Sequence, residues 1–199
     1  MNTMDEQLPP YQKSVLIGGG IIGGLAFLVN IISGYAQISS EPSVTILGIM
    51  AIMSLITCLV AMTGALISTW HYSQFLEQPI TLGKGALIGL FTGIAVAVVS
   101  TLLNQVWSLL NPDFNQQVME SVIASFEQLD LPEEQTQAQT DMLYNSMKNS
   151  GSIGGIASSI ISGSVFYGIL NALTGMLGVK LFIQNKIPPR DYIGETETE

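Results

Sequence analysis

Charge is scarce in this chain of 199 residues: Asp, Glu, Lys and Arg together make up 11%. The scarcity is also uneven. Four windows hold no such residue at all: Ser14–Ser40, Pro42–Leu76, Gly85–Pro112 and Asn149–Val179. A soluble helix needs a polar face, so windows of this length argue against a soluble fold. Basic residues number only six, against 15 acidic ones, for a net charge of −9. That balance excludes a nucleic-acid partner, which would require a basic patch. The single cysteine, Cys58, has no partner in the chain, so no intrachain disulfide forms. The single histidine, His71, stands beside Trp70 and Tyr72, far from any second metal ligand. No G-x-S-x-G elbow and no H-E-x-x-H pair occurs. Catalytic, cofactor-binding and metal-binding residues are accordingly expected to be none, and the protein is read as not an enzyme.

What is abundant is apolar and small. Apolar residues reach 48%, and glycine appears 20 times. Each charge-free window exceeds the ~20 residues a helix needs to cross ~30 Å of hydrocarbon. Only helices or closed barrels satisfy the backbone there. The windows predict an all-α integral membrane protein with four transmembrane helices near 14–36, 44–69, 86–110 and 153–180. A signal peptide is the rival reading of the first window, but Asp5 and Glu6 precede it and only Lys13 is basic.

The expected organisation is a cytoplasmic tail (1–13), helices one to three (14–110), an extracytoplasmic acidic hairpin (111–150), helix four (151–183) and a cytoplasmic disordered tail (184–199). Lys13, Lys84, Lys180, Lys186 and Arg190 fall on one side of such a bundle, and Lys148 on the other. The bias of basic residues to the cytoplasm puts both termini there. Tyr11, Trp70 and Tyr72 would mark the inner interface, Tyr35 and Trp107 the outer.

The stretch Ile80–Gly93, ITLGKGALIGLFTG, looks at first like a phosphate loop. A Walker A loop requires G-x-x-x-x-G-K-[ST], and here the spacing fails and Gly85 replaces the hydroxyl residue. The better reading is a helix entry. Lys84 anchors among headgroups, and Gly85, Gly89 and Gly93 form a small-residue stripe that lets another helix approach. Gly19/Gly23 and Gly20/Gly24 offer the same spacing in helix one, as do Gly151, Gly155, Ser159 and Gly163 in helix four. The helix on the other side of each stripe, from this chain or another, is left open by the spacing.

Polar residues inside the spans are few. Asn30, Asn104 and Asn171 stand out. They serve either as interhelical hydrogen-bonding groups or as the lining of a solute path. Two short matches suggest a tandem pair of hairpins: Lys13–Gly18 with Lys84–Gly89, and Ala61–Leu66 with Ala172–Leu177.

Residues 111–150 read as a helical hairpin. Asn111 and Pro112 suit a helix start. Phe114, Val118, Met119, Val122, Ile123 and Phe126 form an apolar stripe. Asp130–Glu133 suits a capping box around Pro132. Asp113, Glu120, Glu127, Glu134 and Asp141 recur every seven residues and read as a solvated acidic face. The hairpin would lie on the membrane surface or fold over the bundle mouth.

The chain from Ile80 onward resembles the family called domain of unknown function 4199. The resemblance rests on Ile80-Thr81-Leu82-Gly83-Lys84-Gly85, then Trp107 and Asn111-Pro112-Asp113-Phe114, followed by Tyr144 and a Gly-rich last helix. It covers about 80–183, with a looser match of the first two helices. It implies a four-helix protein of the bacterial inner membrane and supplies no activity to carry over. The sequence thus leads to a non-enzymatic, structural or accessory membrane protein. Its partners are the lipid bilayer and a second copy or another membrane protein. The alternative is a small transporter or channel built from duplicated two-helix hairpins.

Overall fold

A computed structural model describes residues 11–41, 44–76, 79–128 and 132–184. Six α-helices follow in order: α1 (Gln12–Ile38), α2 (Val44–Ser73), α3 (Leu82–Leu110), α4 (Phe114–Glu127), α5 (Glu133–Ser150) and α6 (Ile153–Val179). A π-helical turn, Lys180–Gln184, continues α6. No strand occurs among the described residues. The 27 residues of α1 rise about 40 Å, more than the ~30 Å of a hydrocarbon core. By length and composition, α1, α2, α3 and α6 are each apolar enough to cross a membrane.

The four long helices form an up-and-down bundle. Helix α1 packs on α2 and α3, and α6 packs on α3 and α2, so α1 and α6 occupy opposite corners. The α3–α6 contact is the most extensive. Lys13, Lys84 and Lys180 therefore share one end of the bundle, called here the basic end. The α4–α5 hairpin occupies the other. The tails 1–10 and 185–199 lie outside the described residues.

Helix boundaries explain themselves locally. Helix α3 begins four residues earlier than the sequence suggests. The Thr81 hydroxyl accepts the Lys84 backbone N–H at 3.3 Å, so Lys84 sits in the first helical turn. Helix α4 begins at Phe114, with Asp113 rather than Asn111 before it. Asn111 instead ends α3, its backbone N–H bonded to Trp107 O. Pro132 precedes α5 without a side-chain cap, and Asp130 of the expected capping box lies outside the described residues. At the far end, the wider π turn brings Ile183 into the same buried cluster as Val179.

The basic half holds a buried apolar cluster, and beside it an apolar groove of about 480 Å³ opens between α1 and α3. Val15, Tyr72, Ile80, Ile88, Val179 and Ile183 are buried together there. Tyr72 is 1% exposed, so it is a core residue rather than the interface anchor the sequence suggests; Tyr11 meets it edge-on at 6.5 Å. Trp70 stays exposed.

Glycines set the helix separations. A methyl on Gly89 would run into the Asn171 carbonyl, and one on Gly93 into that of Tyr167. Gly85 faces Val179 and Gly175. The stripe in α3 therefore packs on α6 of the same chain. In α1 the glycines divide by direction. Gly18 faces Ser68 and the Gly64 carbonyl on α2, whereas Gly19 and Gly23 face Ala95 and Val99 on α3. Gly20 and Gly24 meet nothing within 4 Å, so that pair does not pack inside this chain. The reason is rotation: neighbouring helical positions point about 100° apart.

The stripe expected on α6 is also displaced. Its packed face runs through Gly168, Asn171, Gly175 and Gly178. Of the expected residues, Gly163 meets Ala97 at 3.3 Å, Gly155 is half-buried, Ser159 is exposed and Gly151 has nothing within 4 Å. Matched glycines of the two suggested hairpins occupy matched contacts. A methyl on Gly18 would lie 2.8 Å from the Gly64 carbonyl, and one on Gly175 would lie 3.1 Å from the Gly89 Cα.

Candidate functional site

The three asparagines of the long apolar helices have three different surroundings. Asn171 is fully buried. Its Nδ2 donates to Ala61 O at 3.0 Å, and its Oδ1 accepts Ala65 N–H at 2.9 Å. Those two backbone groups are four residues apart, the spacing of one helical hydrogen bond. One carboxamide thus reads both ends of that turn and joins α6 to α2. Nδ2 also donates to Tyr167 O in its own helix at 2.9 Å. This side chain is satisfied and shut from any path. Nearby, Thr92 on α3 reaches Ser68 on α2 at 2.9 Å.

Asn104 donates to Ser100 O in its own helix and borders a cavity toward the hairpin. Asn30 is exposed at the edge of a different cavity. The sequence places the three together as polar span residues; the fold separates them.

Two cavities lie in the hairpin half. The first, about 280 Å³, lies between α1, α2 and α6. Asn30, Ser33 and Gln37 come from α1, Thr57 and Cys58 from α2, and Tyr167 from α6. The second, about 400 Å³, lies between α2, α3 and the α4–α5 hairpin, with Asn104 and Trp107 in its wall. Met50 belongs to the walls of both, so the two adjoin.

Helix α4 closes over this half. Phe114 is buried against Gly34, where a side chain on α1 would collide with its ring. Tyr35, Trp107 and Phe114 form an aromatic cluster with centroids 5.1 to 6.4 Å apart. Ser121 donates to Gln37 O at 2.9 Å. Met119, Val122 and Ser125 complete the buried face of α4. The hairpin therefore folds over the bundle mouth, while Asp113, Glu120, Glu127, Glu134 and Asp141 all point outward.

Among the described residues, two buried polar atoms lack a hydrogen-bond partner: Gln37 Oε1 and Trp107 Nε1. Gln37 lines the first cavity and Trp107 the second. Gln37 Nε2 donates to Ser33 Oγ at 3.1 Å, which fixes the carboxamide but leaves its Oε1 without a donor. The sequence reading passed over Ser33, Gln37 and Thr57. A signal existed: Asn30, Ser33 and Gln37 stand at i, i+3 and i+7, one helix face.

A different pair closes the basic end. Ser14 Oγ lies 2.9 Å from His71 Nδ1. The types suit a nucleophile and its base. Yet Ser14 is 2% exposed, wedged between α1 and α2, so no substrate carbonyl can approach it. The pair ties two helices together. Among the described residues, no three of His, Cys, Asp and Glu come together as a metal site.

No curated protein and no solved structure matches the chain. A sequence family described as Protein of unknown function (DUF4199) matches residues 17–180. That span takes in most of α1, all of α2, α3 and α6, and the hairpin over their mouth, so the chain belongs to this family of unknown function.

Proposed function

We propose that this chain is a non-enzymatic, multi-pass protein of the bacterial inner membrane that associates with a second copy of itself through α1. Both termini face the cytoplasm, and the α4–α5 hairpin lies on the opposite side. The carrying observation is the outward pair Gly20 and Gly24, which have nothing within 4 Å. Glycine costs a helix about 1 kcal/mol relative to alanine in water. Gly18, Gly19 and Gly23 offset that cost by close packing inside the bundle. Gly20 and Gly24 have no such return within the chain. Leu16, Ile17, Ile21, Leu25 and Leu28 flank them as exposed apolar side chains. A small-residue pair four apart within such a surface suits a second helix at close range.

The test is the mass of the protein in native nanodiscs. The wild type is expected as a dimer, and the Gly20→Leu/Gly24→Leu variant as a monomer with unchanged helicity. A monomeric wild type overturns the proposal. A second reading, solute binding or transport, is favoured by the two cavities in the hairpin half.

A further inference from the structure

The hairpin half of the bundle has unmet hydrogen-bonding demand. Gln37 is 6% exposed, yet its Oε1 has no donor. A buried, unpaired acceptor is destabilising by about 1–3 kcal/mol. Such a group persists where something else completes it. Gln37 lines the first cavity, so the missing donor belongs to whatever occupies that space. Across Met50, the second cavity holds the converse demand: the indole N–H of Trp107 is a donor without an acceptor. One site calls for a donor and its neighbour for an acceptor. Hydroxyl groups supply both.

Charge selects further. None of the described residues lining either cavity is Asp, Glu, Lys, Arg or His. An ion held here would lack a counter-charge in a low-dielectric setting, where that is costly. A neutral guest carries no such cost. Ser33 and Thr57 add hydroxyls, and Asn30 adds an amide at the edge. Phe166 and Tyr167 supply an apolar floor for the C–H face of the guest. The first cavity, about 280 Å³, has room for about nine waters at ~30 Å³ each. That is room for a hexose or hexitol.

We propose that this half of the bundle binds a small, uncharged polyhydroxyl group, with Gln37 Oε1 accepting one of its hydroxyl protons. The group is either a free polyol or sugar, or the headgroup of a glycolipid. This site is separate from the outward face of α1, and its failure leaves the association reading untouched.

The protein carries its own reporter. Cys58 is the only cysteine and lines the first cavity. The experiment uses the full chain in glycolipid-free vesicles and follows Cys58 modification by a hydrophilic methanethiosulfonate. The reagent is expected to reach Cys58 without denaturant. A panel of hexoses and hexitols is then added. At ten times its dissociation constant, a bound polyol should slow modification about tenfold. Sodium or potassium chloride should not. Slowing by free polyol identifies a soluble guest. Slowing only in glycolipid-containing vesicles identifies a headgroup. Gln37→Leu should abolish the slowing, while an apolar maleimide still labels Cys58 at the wild-type rate. A folded wild type that the hydrophilic reagent never reaches overturns the proposal. Equal rates with and without every polyol and glycolipid do so too, since the cavity then holds water alone. Protection by the alkali salts instead of polyols also overturns it.

Discussion

Gly89 has a hydrogen where every other residue would place a carbon against the Asn171 carbonyl of α6. A backbone atom cannot swing aside as a flexible side chain can. Gly89→Leu must therefore separate α3 from α6 at their closest approach. Overpacking of this kind is destabilising by about 1–3 kcal/mol, occasionally more. The expected result is a clear fall in thermal midpoint in detergent. Lys84→Arg keeps the charge at the first turn of α3 and should leave the midpoint unchanged. The reverse pattern would show that the packing argument has the wrong residue. The sequence could show this much because Gly85, Gly89 and Gly93 repeat at helical spacing. It could not choose between Gly19/Gly23 and Gly20/Gly24. Both pairs have the same spacing, and only the position of α3 distinguishes them. Nor could it show that Asn171 reads the backbone of Ala61 and Ala65, about 110 positions away. Gln37 escaped notice for a related reason. Its burial and its empty acceptor exist only once α2 and α4 have closed around it.

The elements divide by how they are held. Helices α1, α2 and α3 follow directly from the absence of charge, because a lipid-spanning helix is a composition before it is a contact. The hairpin follows from a stripe instead. Phe114, Met119 and Val122 repeat at helical spacing, and all three are buried against the bundle. Helix α5 had a weaker stripe, and Ala138 and Met142 remain exposed. Helix α4 is thus the element that closes the mouth, and Phe114 is its main anchor. Its ring occupies the notch at Gly34 and touches Tyr35 and Trp107. Phe114→Ala removes one ring of that cluster, and with it the contacts to Tyr35 and Trp107, at a cost of about 3–5 kcal/mol if the site stays rigid. The loss should fall on docking of α4 more than on the four long helices. Hydrogen exchange is the measurement. Amides of α4 should exchange far faster in the variant, while the α3–α6 contact keeps its protection. Equal acceleration in both would mean that the hairpin and bundle unfold as one unit.

At the scale of the whole molecule, the bundle is asymmetric end to end, and the asymmetry bears on how it sits in a bilayer. Lys13, Lys84 and Lys180 mark the basic end, and Lys186 and Arg190 follow it in sequence. The opposite end carries the acidic hairpin with Lys148 as its one basic residue. Basic residues near span ends are retained in the cytoplasm, whereas acidic ones have little influence. The basic end also holds the buried cluster of Tyr72, Val179 and Ile183. The two cavities that Gln37 and Trp107 line, and the unpartnered Gln37 Oε1 and Trp107 Nε1, lie toward the hairpin. In this orientation any guest would enter from the extracytoplasmic side, beneath α4. The orientation is checked with Cys58→Ser as background and one new thiol at a time. Glu134→Cys, on the exposed face of α5, should react in intact cells with a membrane-impermeant maleimide. Lys13→Cys, also exposed, should react only after the membrane is opened. Keeping Lys84, Lys180, Lys186 and Arg190 leaves four of the five basic residues in place, so the variant itself should not invert the protein. The opposite labelling would turn the bundle over, put the cavities on the cytoplasmic side and make cytoplasmic solutes the ones to test against Cys58.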